Sequence, residues 1–295
     1  MSGLPFLERV RDITLTPGMK LIVMSDMHRG DGSGADDFAK NSLIYRCALE
    51  YYLAEGFTYI ELGDAEELWE NDSFDQIYIT HTPVYELLTK FHDPDQAKTR
   101  YLKLWGNHDL YWKESEAVYR ALFPGIEIHE GIILKNTILL IHGHQADPKC
   151  CGEAAVVSKF FVHHFWTDLQ RCGVRDPTRA ALNPGLCNEV DRCLHDWANN
   201  NDQGITAIIA GHTHRPVFEN LSLTERRCLE SRLKTKGIEI KHQPDRSYYN
   251  TGSCVHPLRI TGIEITYEEG LKLRLVEWGQ ATEGRILTIQ RKEIA

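Results

Sequence analysis

Strands and helices alternate through the first half of this chain and strands dominate its end, a pattern that predicts an α/β protein built in layers. Two observations carry the prediction. Short apolar runs recur with amphipathic, helix-length segments between them, and from Pro216 onward almost every apolar segment is strand-like. A third observation says where function should lie. Open α/β sheets place ligands at the carboxyl ends of their strands, and here those ends are rich in Asp, Asn and His.

Composition bounds the answer. The 295 residues are 42% hydrophobic and 25% charged, ordinary for a globular protein of one large domain or two small ones. A net charge of −9 speaks against a general nucleic-acid binder, which needs a basic footprint, though a local basic pocket stays compatible. The N-terminal MSGLPFLERVRDITL has no apolar h-region, and no stretch approaches the roughly 18 uncharged apolar residues of a membrane span. The expectation is a cytoplasmic protein without a transmembrane segment. Cysteines stand at 47, 150, 151, 172, 187, 193, 228 and 254 without any C-x-x-C pair, so reduced thiols are expected rather than a thiolate zinc site.

Taken in order, Lys20 to Ser25 reads as a strand. A helix over Asp36 to Glu55 follows from the spacing of Phe38, Leu43, Ile44, Leu49 and Leu53, with Asp36 able to cap it. Phe57 to Leu62 is a strand, Gln76 to Phe91 a helix, Thr99 to Trp105 a strand and Glu114 to Leu122 a short helix. Glu127 to Leu134 and Thr137 to Ile141 form a strand pair turned by Lys135-Asn136. Gly152 to Asn201 is helical and aromatic, and Ile205 to Ala210 is a strand. Further strands cover Ile238 to Ile240, Tyr248 to Thr251, Ile260 to Thr266, Leu271 to Trp278 and Arg285 to Gln290.

Five strand ends then share one chemistry: Asp26-Met-His28, Gly63-Asp64 with Glu67, Gly106-Asn-His-Asp109, His142-Gly-His144 and Gly211-His-Thr-His214. One such end is a turn or a cap. Five in chain order converge on something. Imidazole and carboxylate suit Mn²⁺, Fe or Zn²⁺, and the adjoining glycines let the chain turn sharply off the sheet. The candidates outnumber the needs of one ion, whereas two ions sharing a bridging carboxylate would use them.

These motifs resemble, in full and in order, those of the calcineurin-like metallophosphoesterase superfamily, and Tyr248 to Ser253 resembles its late N-x-G-S turn. The resemblance implies a four-layer α-β-β-α sandwich with two metal ions at one edge. It implies Asp26, His28 and His214 on the first ion, Asn107, His142 and His212 on the second, and Asp64 between them. His108 would face a phosphorylated small-molecule substrate as general acid, and Glu67 would orient it, unless Glu67 is simply an exposed residue opening a helix. A hydroxide held between the ions would attack phosphorus. Arg29, Arg215 and His144 are candidates for touching phosphate, His144 otherwise being a neighbour of the ligands.

The chain also resembles the hydrolases that cleave UDP-2,3-diacylglucosamine, through Gly63-Asp-Ala-Glu-Glu-Leu-Trp69, Gly211-His-Thr-His-Arg-Pro216 and a helical insert before the last motif. Those enzymes carry Arg where this chain has His108, which favours simpler mono- or diester chemistry over the lipid pyrophosphate. Residues 1–147 and 205–295 would form the core and 148–204 a helical cap. A non-catalytic metal-binding scaffold is the reading from another class, and complete ligand positions argue against it. The oligomeric state is not legible.

Overall fold

Two β-sheets face each other across an apolar seam, and helices cover both outer faces. The structure, a computed structural model, describes residues 7–34, 36–71, 73–147, 184–219, 221, 247–283 and 286–295. In chain order the strands are β1 (Val10–Ile13), β2 (Met19–Met24), β3 (Thr58–Leu62), β4 (Tyr101–Leu104), β5 (Ile128–His129), β6 (Gly131–Leu134), β7 (Ile138–Ile141), β8 (Ala207–Ala210), β9 (Pro216–Val217), β10 (Tyr248–Thr251), β11 (Arg259–Tyr267), β12 (Leu271–Glu283) and β13 (Ile286–Glu293). The helices are α1 (Ser42–Ala54), α2 (Phe74–Thr80), α3 (Thr82–Phe91), α4 (Glu116–Leu122) and α5 (Pro184–Asn200). The first sheet runs β13-β12-β11-β2-β3-β4-β5 and the second β1-β6-β7-β8-β10-β9. Strands β2 to β5 are mutually parallel, as are β7, β8 and β10.

Strand alternation sorts the side chains into layers. Leu21, Val23, Ile60, Leu62, Leu102 and Leu104 point into the seam, where Ile132, Leu134, Leu140 and Ile209 of the second sheet meet them. Each such buried aliphatic contributes about 1.5–3 kcal/mol relative to exposure. Tyr59, Tyr101 and Trp105 turn the other way, toward Tyr45, Leu49, Val84, Leu88 and Tyr119 of the helices. Leu186, Val190, Leu194 and Ala198 recur every fourth residue on α5, and that stripe packs on Leu139, Ile141, Ile208 and Tyr248. The result is the four-layer α-β-β-α arrangement the sequence predicts.

Three expectations need correction. The segment 127–134 is not one strand: β5 closes the first sheet beside β4, and the chain changes sheets at Glu130 before β6 pairs with β1 and β7. The helix expected from Gln76 to Phe91 is two, because His81 leaves helical geometry (φ −111°, ψ 23°) and Pro83 starts a new first turn. Strand β1 was not anticipated, since it is a partly exposed edge with Arg and Asp between its apolar residues. Other details agree in part. Asp36 Oδ1 accepts from the Phe38 and Ala39 amides, but this leads into a 3₁₀ turn at Ala39–Asn41, and α1 itself starts only at Ser42 without a side-chain cap. Lys135 and Asn136 take φ of 53° and 58° in the turn between β6 and β7. Ile238 to Ile240 and most of the aromatic insert lie outside the described residues. Among the described residues, no helix is long and apolar enough to cross a membrane.

Candidate metal centre

The loops leaving β2, β3, β4, β7 and β8 are tied together by their backbones. The Asp26 amide donates to Gly63 O (3.2 Å), His28 to Asp64 O (2.9 Å) and Gly211 to His142 O (2.9 Å). The two sheets are joined where the His212 amide donates to Asp26 Oδ2 (3.0 Å). Gly63 and Gly143 take positive φ, 90° and 110°, as expected of glycines that turn the chain off the sheet. Asp26, His28, Asp64, His212 and His214 do so as well, between 48° and 66°. Such backbone is uncommon outside glycine and gathers at functional sites, where the surrounding structure must hold it. Gly106 is needed for a different reason: a Cβ there would run into the Asp64 carboxylate and lie 2.7 Å from its backbone nitrogen.

Three overlapping buried triads result, Asp26–His28–His214, Asp64–His142–His212 and, linking them, His28–Asp64–His108, the donor atoms within each lying within 4.8 Å of one another. In the first, His214 Nε2 is 3.1 Å from Asp26 Oδ1 and 3.2 Å from His28 Nε2. In the second, His142 Nε2 is 3.1 Å from Asp64 Oδ2, and that same oxygen is 3.8 Å from His28 Nε2. Asp64 therefore stands between the triads. Asn107 Oδ1 is buried with no hydrogen bond among the described residues. An unpartnered buried acceptor costs about 1–3 kcal/mol, and imidazole nitrogens turned toward each other need a proton or a cation between them. This donor set fits divalent cations. Burial opposes the charged form of Asp26, yet His214, with His142, holds its carboxyl down at about 2. Burial likewise opposes charge on His142, but Asp64 raises the imidazole to about 9. The carboxylates beside His142 thus favour a positive charge at that place.

Glu67 is fully buried and serves two imidazoles: Oε1 lies 2.6 Å from His108 Nδ1 and Oε2 2.6 Å from His28 Nδ1. It is not an exposed helix-opening residue. A carboxylate only accepts, so both rings present Nδ1–H to it and direct Nε2 elsewhere. The second contact, to His28, was not foreseen. Nor was Trp69, whose indole stacks on the His108 ring with centroids 4.4 Å apart at 26°. Asp147 was also missed; its Oδ2 lies 2.9 Å from His212 Nε2, and only its place shortly after His144 hinted at it.

Arg29 and Arg215, candidates for touching phosphate, are instead buried in ion pairs within the protein. Arg29 is wholly buried, donating to Glu61 (2.8 and 3.2 Å) and Glu66 (2.6 Å) under the Tyr85 ring. Arg215 donates to Asp191 Oδ2 (2.5 Å) and Asn188 Oδ1 (3.0 Å) of α5. A sequence does not show the carboxylate that neutralises a guanidinium, so neither pairing is legible in it. His144 is buried beside the second triad, its ring 5.5 Å from His142. Burial and the neighbouring His142 and His212 push its pKa well down.

No family model matches the chain, and no curated protein does. Among solved structures it is similar to Vps29 complexed with Zn²⁺ from Entamoeba histolytica, at 15% identity over 93% of this chain and 99% of that one, with a TM-score of 0.32.

Proposed function

We propose that the chain is a phosphoester hydrolase acting on a phosphorylated small molecule with two divalent cations, Mn²⁺ or a combination of Fe and Zn²⁺. The observation that carries this is the pair of buried triads on either side of Asp64, with the Asn107 carbonyl oxygen unpartnered beside them. Asp26, His28 and His214 would hold one cation and Asn107, His142 and His212 the other, with Asp64 shared. Bound there, the ions supply positive charge for the phosphoryl oxygens and bring the pKa of water toward neutrality. His108 is the chain's own contribution to bond breaking. With Nδ1–H held by Glu67, its Nε2 is the atom that gives a proton to the leaving oxygen. Residues 1–147 and 205–295 form the catalytic core in this reading, and 148–204 shapes the substrate pocket.

The test is elemental analysis followed by a substrate panel in Mn²⁺: p-nitrophenyl phosphate, bis-p-nitrophenyl phosphate, cyclic and dinucleotides and UDP-sugars. About two metal ions per chain and turnover of a mono- or diester are expected, and Asp64→Asn should empty both metal positions together. A chain that stays metal-free with Mn²⁺ supplied sinks the reading. Metal uptake with no turnover of any member leaves a metal-binding scaffold instead.

A further inference from the structure

We propose that Trp69 is a positioning residue for His108, its indole face fixing the plane in which the imidazole delivers a proton. This rests on the hydrolase reading above. The bond from Nδ1 to Glu67 Oε1 at 2.6 Å fixes one atom of the His108 ring. A hydrogen bond sets a direction, whereas ring contacts set the plane. Two aromatic neighbours supply such contacts. His28 meets the ring edge-on, with centroids 4.7 Å apart at 81°. Trp69 lies nearly parallel at 4.4 Å and 26°, covering a whole face. The backbone delivers the indole to that place, because the Leu68 amide donates to His108 O (3.2 Å) and so locks residues 67 to 69 alongside His108. His108 in turn is anchored by its own amide on Asp64 Oδ1 (2.8 Å).

Trp69 is only 8% exposed, and its indole Nε1 makes no hydrogen bond among the described residues. A buried tryptophan ordinarily finds a partner for that N–H. An aliphatic side chain would fill the space without an unpaired donor, so what an aromatic ring adds here is its flat π-face. That face is electron-rich and favours a cation over a neutral ring.

The experiment compares esters with easy and difficult leaving groups on the Mn²⁺-loaded full chain. Trp69→Leu should slow hydrolysis of an alkyl phosphate such as glycerol phosphate by about tenfold or more, a part of the 10²–10⁴-fold that general-acid help supplies. It should slow p-nitrophenyl phosphate far less, with metal content unchanged. Trp69→Phe, which keeps a flat ring, should recover most of the difference. In a His108→Ala background, Trp69→Leu should have no further leaving-group-dependent effect. Equal slowing of both esters, or the same selective loss with and without His108, overturns the proposal. Tryptophan emission gives a readout independent of turnover. A stacked imidazole quenches indole, so His108→Ala should brighten the wild-type chain but not the Trp69→Leu variant. Brightening without turnover of any ester by the wild type keeps the stacking and removes the hydrolase reading. No brightening removes the stacking itself.

Discussion

One carboxylate, Glu67, is shared between an imidazole of the first triad and His108, so its two oxygens cannot be changed independently. In Glu67→Gln one acceptor becomes a donor that faces an N–H. Either His28 or His108 then loses its anchor or flips its tautomer. Metal affinity should fall about 10–100-fold, as it does when outer-shell partners of metal-bound histidines are lost. Calorimetric Mn²⁺ titration checks this, and an unchanged affinity would mean that the His28 contact does not matter. A second residue-scale effect lies away from the site. Burial, with Arg11 and Arg9 nearby, pushes the His129 imidazole down to about 4, against the pull of Glu127. Below about pH 6.5 the unfolded chain takes up a proton that the folded chain refuses, so stability falls as pH drops from 6.5 toward 4 and is level above. About 2 kcal/mol should be lost between pH 7 and pH 5. Urea unfolding at the two pH values measures it, and His129→Gln should flatten the difference. That Asp, Asn and His crowd the strand ends was legible in sequence, and the structure brings those side chains together. Trp69 and Asp147 were not, because nothing in a sequence says which ring or carboxylate an imidazole will meet.

Among elements, the turns matter more than the strands. Gly106 closes β4 and lets Asp64 approach the following loop; Asp109 completes the junction by accepting from the Gly106 (2.5 Å), Asp64 (3.2 Å) and Ala65 (3.0 Å) amides. Gly106→Ala should push the Asp64 carboxylate aside and lower occupancy of both metal positions while far-ultraviolet circular dichroism stays native. If both ions still bind with wild-type affinity, the close approach is dispensable. Helix α5 braces the last loop through Asp191, which accepts from Arg215 and from Tyr248 Oη (2.8 Å). Strand existence was legible from periodicity. Partner choice was not. Period-2 alternation looks the same in either sheet, so the crossing at Glu130 between β5 and β6 left no trace in the pattern.

For the whole molecule, the layered plan was legible because the alternation of strands and helices fixes which surfaces must be covered. What could not be read is the ionic cluster under the first sheet. Lys103, on β4, is fully buried, with Nζ 3.0 Å from Glu61 Oε2 and 2.8 Å from Glu66 Oε2; Arg29 binds the same two carboxylates. Tyr101, Tyr85 and Trp112 donate to them as well. Lys103→Met leaves two buried carboxylates with one cation and should cost about 3–5 kcal/mol, the usual cost of breaking a buried pair from one side. A denaturant midpoint measures this, and a cost under about 1 kcal/mol would mean that the cluster simply takes up a proton.

The way the triads are shared between the sheets has a consequence for biogenesis. Asp26 and His28 leave the first sheet while His214 leaves the second; Asn107 leaves the first while His142 and His212 leave the second. Neither sheet alone carries the donors proposed for either ion. A nascent chain therefore has no finished site until residue 214 has emerged and the two halves have closed on each other. Loading would be the last act of maturation, a checkpoint that only a correctly closed sandwich passes. Any ion then held would act as a clasp across the seam, resisting its reopening in proportion to its affinity and abundance.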